Sequence, residues 1–81
     1  MHELAFTEGV IKVIKSEAEK QGFEKCLSIT LTVGQYSGLV PECIQEFFPY
    51  ASKGTIAENA VLHFKNGEDP FKSYVESIEV E

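Results

Sequence analysis

The chain has 81 residues, 43% of them hydrophobic, which is enough for one small globular domain near the lower size limit for a stable single core. Thirteen acidic residues against seven lysines, with no arginine, give a formal net charge of −6, so the clustered positive charge that nucleic acids or acidic membranes require is absent. No apolar run is long enough for a membrane span or a signal peptide, and a cytoplasmic protein is therefore expected.

The first predicted element is an amphipathic helix over residues 3–21. Its apolar side chains recur at helical spacing and predict a core-facing stripe, with Val10 and Val13 beside it. The stripe consists of Leu4, Ile11, Ile14 and Ala18. Gly22 follows directly and offers the left-handed conformation that ends many helices.

Residues 26–33 predict a strand with one buried and one solvated face. Apolar and polar side chains alternate strictly, with Leu27, Ile29, Leu31 and Val33 on one face and Ser28, Thr30 and Thr32 on the other.

After a turn over residues 34–38, Pro41 is well placed as the first residue of a second helix. Pro49 lacks a backbone donor, so that helix is expected to kink or end early, and Lys53-Gly54-Thr55 should close it.

Two further strands are predicted in the last third of the chain. The first covers residues 60–64, with Leu62 and Phe64 facing inward and His63 on the opposite face. Asn66-Gly67 is a hairpin signal, although Pro70 favours a longer loop over a tight turn. The alternation over residues 71–80 is imperfect, which indicates a β-bulge or an edge strand.

The element order helix, strand, helix, strand, strand predicts a single α+β domain over residues 1–81. Two helices should cover one face of a three-stranded mixed sheet, whose strand order the sequence does not determine. An edge at residues 71–80 in so small a sheet leaves backbone groups unpaired, so a homodimer or a strand-swapped dimer is expected.

The first three residues carry the chemistry that stands out. A free α-amine at Met1, followed by the amide and imidazole of His2, can bind one metal ion without a folded cage, and such nitrogen sets suit nickel(II) or copper(II). If the helix starts by Glu3, the amides of residues 2 and 3 have no acceptor within it and are available to a metal. The positive end of the helix would repel a metal cation, and the carboxylates of Glu3 and Glu8 would offset this repulsion. Alternatively, these carboxylates serve only to compensate the helix dipole and take no part in a metal site.

Four segments of the chain stand out as a set: MHELAF at the start, LTVGQYSGLVPE, SKGTIAENAVLHF and a terminal SIEVE. In sequence and in order they resemble the HypA family of nickel-insertion accessory proteins for hydrogenase and urease. The resemblance implies that Met1, His2 and Glu3 form a nickel site. It also implies two kinds of partner, which are a nickel-handling maturation GTPase and a hydrogenase or urease apo-enzyme.

One departure from the family concerns zinc. The family carries a zinc domain with paired Cys-x-x-Cys motifs before the last strand, where this chain has only the short connection 65–70. Cys26 and Cys43 are the only cysteines, and neither has a second ligand at zinc spacing. No structural zinc is therefore expected. His63 and the two cysteines are less favoured candidates for completing a nickel site.

No catalytic constellation is present, so the sequence does not predict an enzyme. Two classes of function are compatible with the residues. The first is a metallochaperone that binds Ni(II) through the N-terminus and delivers it. The second is a metal-independent interaction module that docks a nickel-handling GTPase or an apo-enzyme. A third possibility is a piece engineered to isolate the nickel-binding domain of a longer protein.

Overall fold

The computed structural model describes residues 2–81. It contains five elements: α1 (His2–Gln21), β1 (Cys26–Val33), α2 (Pro41–Ser52), β2 (Val61–Asn66) and β3 (Tyr74–Val80). This confirms the predicted α+β fold and its element order. No helix within residues 2–81 combines the length and the hydropathy needed to cross a membrane.

The sheet has the strand order β2-β1-β3, so β1 is the central strand. It pairs with β2 in parallel and with β3 in antiparallel fashion, which confirms a mixed sheet. The parallel β1-α2-β2 unit places α2 on the same side of the sheet as α1, and the two helices pack against each other. Because β2 and β3 lie on opposite sides of β1, the connection after Asn66-Gly67 is a crossover and not the hairpin that this dipeptide suggested.

The predicted irregularity in the last strand is confirmed, and β3 is both bulged and at an edge. Its pairing with β1 shifts register so that Leu31 faces Val75 while Thr30 faces Ser77, which leaves Glu76 as the extra residue. The bulge allows Val75 and Ile78, three residues apart, both to pack against the core. The regular strand begins at Tyr74, three residues later than predicted.

The predicted stripe of α1 forms much of the core. Val10, Ile11, Ile14 and Ala18 are each at most 5% exposed. The first three share a core cluster with Ile29 and Leu31 of β1. Leu4 was wrongly included in the stripe, since it is 41% exposed, and Val13 beside it is 50% exposed. In the first two turns of α1, the buried positions belong instead to Glu3 and Thr7.

The expectation of a solvated face on β1 was wrong, because this strand is flanked on both sides. Ser28 and Thr32 are buried, and their hydroxyls donate to carboxylates of β3. The Ser28 hydroxyl donates to Glu79, and the Thr32 hydroxyl donates to Glu76 at 2.8 Å. Glu76 also accepts from Lys65 of β2. Long charged side chains from both neighbouring strands therefore cover the small polar residues of the central one.

A kink or an early end of α2 had been predicted at Pro49, and the early end was wrong. The helix continues three residues further to Ser52 and closes at Lys53, after which Gly54 adopts a φ of +77°. Ile44 and Phe48, both before Pro49 in the helix, are buried in the core against the sheet. Tertiary packing of the apolar face thus outweighs the loss of one helical hydrogen bond.

The crossover connection, residues 67–73, runs across the end of β1 and is anchored there. The Tyr36 amide donates to the Pro70 carbonyl at 2.6 Å, and the Gly34 amide donates to the Ser73 hydroxyl at 3.0 Å. A Cβ placed on Gly34 would lie 2.5 Å from the Pro70 carbonyl oxygen. The residue after β1 is therefore a glycine because backbone passes directly over it.

Candidate metal site

The candidate site lies at the start of α1, which begins at His2. His2 is exposed, so its imidazole is accessible from solvent. The amides of the first helical turn have no carbonyl acceptor within the helix, as predicted for a chain that becomes helical at its second residue. Met1, the remaining predicted ligand, lies outside the described residues.

Glu3 has a role in the fold that the sequence did not reveal. Its side chain is buried, and the carboxylate accepts a hydrogen bond from the Val40 amide at 2.9 Å. Val40 is the N-cap residue of α2 and has no side chain that could cap the helix itself. The first turn of α1 therefore supplies the anion at the positive end of α2. The Thr7 hydroxyl adds a bond to the Glu3 carbonyl at 2.6 Å.

The only signal for this role was indirect. The residues Val40-Pro41 lack the Ser, Thr, Asp or Asn expected at a helix start, which indicates that the cap comes from elsewhere in the fold. Nothing in the local sequence shows that Glu3 is its source.

The environment of Glu3 also favours its charged form. The pKa of the Glu3 carboxyl is lowered from 4.5 to about 2, first by the chain's α-amino group and then by hydrogen bonds from the amides of Glu3 and Val40. The hydrogen bond from the Val40 amide exists only in the folded chain, so through this bond Glu3 stabilises the fold above about pH 4.5. This contribution is lost progressively as pH falls toward 2.

We expect Glu3→Gln to reduce the acid sensitivity of the fold. The glutamine is neutral at every pH, so the part of the pH dependence between 4.5 and 2 that comes from this carboxyl should disappear. Urea unfolding at several pH values in this range measures it, with Glu8→Gln, on the exposed face of the same helix, as the control. Identical slopes of unfolding free energy against pH in Glu3→Gln and the unmodified chain would contradict the assignment.

The less favoured ligand candidates lie in other surroundings. His63 is exposed on β2, where it pairs in register with Thr30 of β1. Cys26 is fully buried, its thiol contacts the Ser28 carbonyl, and burial raises the pKa of this thiol, which disfavours the thiolate that a metal would need. Cys43 is half-buried within α2.

Within residues 2–81 no three side chains of the His, Cys, Asp or Glu type come together as a metal-binding group. A chelate built mainly from backbone nitrogen and a single imidazole would not produce such a group.

Chelator treatment is expected to leave the fold intact. Zinc-dependent folding requires a closed set of thiolate or imidazole ligands, which these residues do not supply. Thermal unfolding followed by circular dichroism, with and without EDTA, tests this. Loss of the cooperative transition in EDTA, or stoichiometric zinc in the purified protein, would contradict it.

Comparison with known proteins decides the family. Residues 1–72 match the family model described as hydrogenase/urease nickel incorporation, metallochaperone, HypA. The chain belongs to the HypA family. It is similar to the hydrogenase maturation factor HypA of Caldanaerobacter subterraneus subsp. tengcongensis, with 35% identity over 72 residues, which are 89% of this chain and 63% of that protein.

Other HypA relatives show similar agreement. The hydrogenase maturation factor HypA of Dehalococcoides mccartyi strain 195 is 38% identical over 65 residues, covering 80% of this chain and 55% of the relative. The hydrogenase maturation factor HypA of Aeromonas salmonicida is 36% identical over 66 residues, which are 82% of this chain and 58% of that relative. The chain thus spans somewhat more than half the length of these HypA proteins. The family's description as a metallochaperone agrees with the prediction that the chain is not an enzyme.

Proposed function

We propose that the chain binds one Ni(II) ion at its N-terminus and holds it as cargo for hydrogenase or urease maturation. The ligands are the Met1 α-amine, the His2 amide and the His2 imidazole, and the fourth is the Glu3 amide or a group from a partner. The observation that carries this proposal is the start of α1 at an exposed His2 in a member of a nickel-incorporation family. A helix that begins there leaves the required amides without carbonyl acceptors.

The geometry around Glu3 supports an open site suited to transfer. Its carboxylate accepts from the Val40 amide, so nitrogen ligands dominate the set and the metal is not enclosed. An open coordination position permits a partner's ligand to bind before the chain's own ligands leave. By family membership we infer that the partners are a nickel-handling GTPase and a hydrogenase or urease apo-enzyme.

A metal titration of the protein with a free α-amine tests the proposal. One nickel(II) per chain should bind with the absorption of a square-planar nitrogen complex, and copper(II) should displace it because it stands higher in the affinity order. Acid should release the metal, since amine and imidazole must be neutral to bind. Tight binding of nickel in a six-coordinate, oxygen-rich complex would contradict the nitrogen chelate.

The alternative is a metal-independent interaction module of the same fold. It is supported by the short connection in place of the family's zinc domain and by the exposed edge of β3. The two functions differ in whether docking of the GTPase or apo-enzyme requires nickel. A homodimer or strand-swapped dimer through β3 also remains a prediction, which sedimentation over a range of concentrations would test.

A further inference from the structure

A groove of two adjoining parts runs along the seam between α1 and β3. The first part, of about 480 Å³, is apolar and is lined chiefly by Phe6, Val10, Val13, Tyr74 and Val75. The second part, of about 280 Å³, shares Val13 and Val75 and extends to Ile78 and Val80, but Glu17 and Gln21 give it a polar wall on α1. Val13 and Tyr74 are about half exposed. The groove therefore follows the whole length of β3.

The outer wall of this groove is an unpaired strand edge. β3 pairs only with β1 within residues 2–81, so its other side presents amide and carbonyl groups without strand partners. Such an edge next to an apolar groove is the geometry used for β-strand addition, where backbone pairing gives affinity and alternate side chains fill the groove. Gly9 lines the α1 side of the groove and has no side chain, so the space that a Cβ would occupy there is open.

The opposite face of β3 carries acidic side chains. Glu76 and Glu79 point to the outer face of the sheet, where they accept hydrogen bonds from Thr32 and Ser28. Charged residues commonly shield an edge strand from pairing, but these two are bound to the neighbouring strand. An added strand would therefore meet apolar surface beside Phe6 and Val13 on its α1 side. On its other side it would meet Glu79 and Glu76, of which Glu76 already has Lys65 of β2 as an ion-pair partner.

We propose that β3 and the α1–β3 groove are the docking site for an extended partner segment in which apolar and basic residues alternate. The apolar residues would enter the groove beside Val13 and Val75, and the basic residues would face Glu76 and Glu79. A second copy of this chain fits less well, because two β3 strands would place glutamates together in a protein of net charge −6.

The groove lies close to the proposed nickel site. Phe6 stands one helical turn after His2 on α1, so these two side chains are neighbours on the helix surface. A strand docked along β3 would thus have one end beside His2. The docking proposal itself goes beyond the nickel function and does not depend on it.

A synthetic peptide provides the test. The probe is an acetylated octapeptide of alternating valine and lysine, titrated into metal-free, ¹⁵N-labelled protein. It should shift amide resonances of β3 and of α1 residues 6–17 saturably. A peptide of the same composition with four valines followed by four lysines, and one N-methylated on the edge that pairs, should each bind at least about tenfold more weakly.

Variants at exposed positions separate the two faces. Val13→Lys should weaken peptide binding about tenfold, because it fills the groove with a side chain of the same charge as the peptide's lysines. Glu79→Gln still accepts the hydrogen bond from Ser28 but loses its charge. It should weaken peptide binding about threefold, the scale of an exposed ion pair. Val61→Lys on the opposite edge strand is the matched control, since Val61 is 56% exposed, and it should change nothing. The His2→Ala variant should also bind the peptide normally. A failure of the nickel proposal can therefore be distinguished from a failure of the docking proposal.

Three results would overturn the proposal. The first is an absence of saturable shifts at millimolar peptide, and the second is a perturbation centred on β2. The third is self-association, seen as concentration-dependent shifts of β3 amides without peptide and a dimer in sedimentation. That result would assign the edge to a second copy.

Discussion

His2→Ala is expected to weaken nickel(II) binding by at least about 100-fold, because the variant loses the imidazole that closes the chelate. One extra residue before Met1 should have a similar effect, since it moves the α-amine away from His2. Neither change touches the buried stripe of α1, so the circular dichroism spectrum should stay the same. Isothermal titration calorimetry of the variants against the unmodified chain measures the loss.

His63→Ala is the matched control, because it removes the other histidine of the chain from an exposed position far along the sequence. Nickel affinity should be unchanged in this variant. If His63→Ala abolished binding while His2→Ala retained it, the site would lie on the sheet and the N-terminal assignment would be wrong.

Gly34→Ala is expected to destabilise the fold by about 1–3 kcal/mol, the usual range for overpacking. The added methyl group would lie 2.5 Å from the Pro70 carbonyl oxygen and 2.7 Å from that of Lys72. These neighbours are backbone atoms of the crossover connection and cannot rotate away as a flexible side chain could. Urea unfolding at neutral pH provides the measurement.

Gly9→Ala is the control for Gly34→Ala. Gly9 lies within α1, and its added Cβ would meet nothing within 4 Å, so the better helix propensity of alanine should stabilise the protein by about 0.5–1 kcal/mol. The two glycines thus predict opposite signs for the same substitution. Equal destabilisation in both variants would show that the crossover does not press on Gly34.

Local periodicity was sufficient to predict where the elements lie. The α1 stripe reflects burial on one side of the helix, and such burial leaves a repeating pattern in the chain. The alternation of β1 located the strand but not its burial, because both faces of this strand are covered. The prediction that Leu4 faces the core was an error of this method, because spacing along the helix does not show which side of the first turn is covered by the rest of the fold. Glu3 and Thr7 take the buried positions there, since α2 begins next to them.

The sheet order and the capping of α2 could not be predicted, because both depend on residues distant in the chain. The bulge at Glu76 was visible as broken alternation, but whether β3 lies beside β1 or β2 is decided by pairing over more than 40 residues. The same applies to the Glu3–Val40 bond. At the candidate metal site, residue chemistry indicated His2, and the structure adds that α1 begins at this exposed residue.

The strand order has a consequence for any longer segment placed between β2 and β3. Asn66 and Tyr74 end and begin strands that are two strand spacings apart, roughly 10 Å. A domain inserted at this position would be tethered by two separate points on a rigid sheet, both at the same end of the central strand. Two tethers restrict rotation far more than one linker does, so the orientation of such an insert would be limited by the sheet itself.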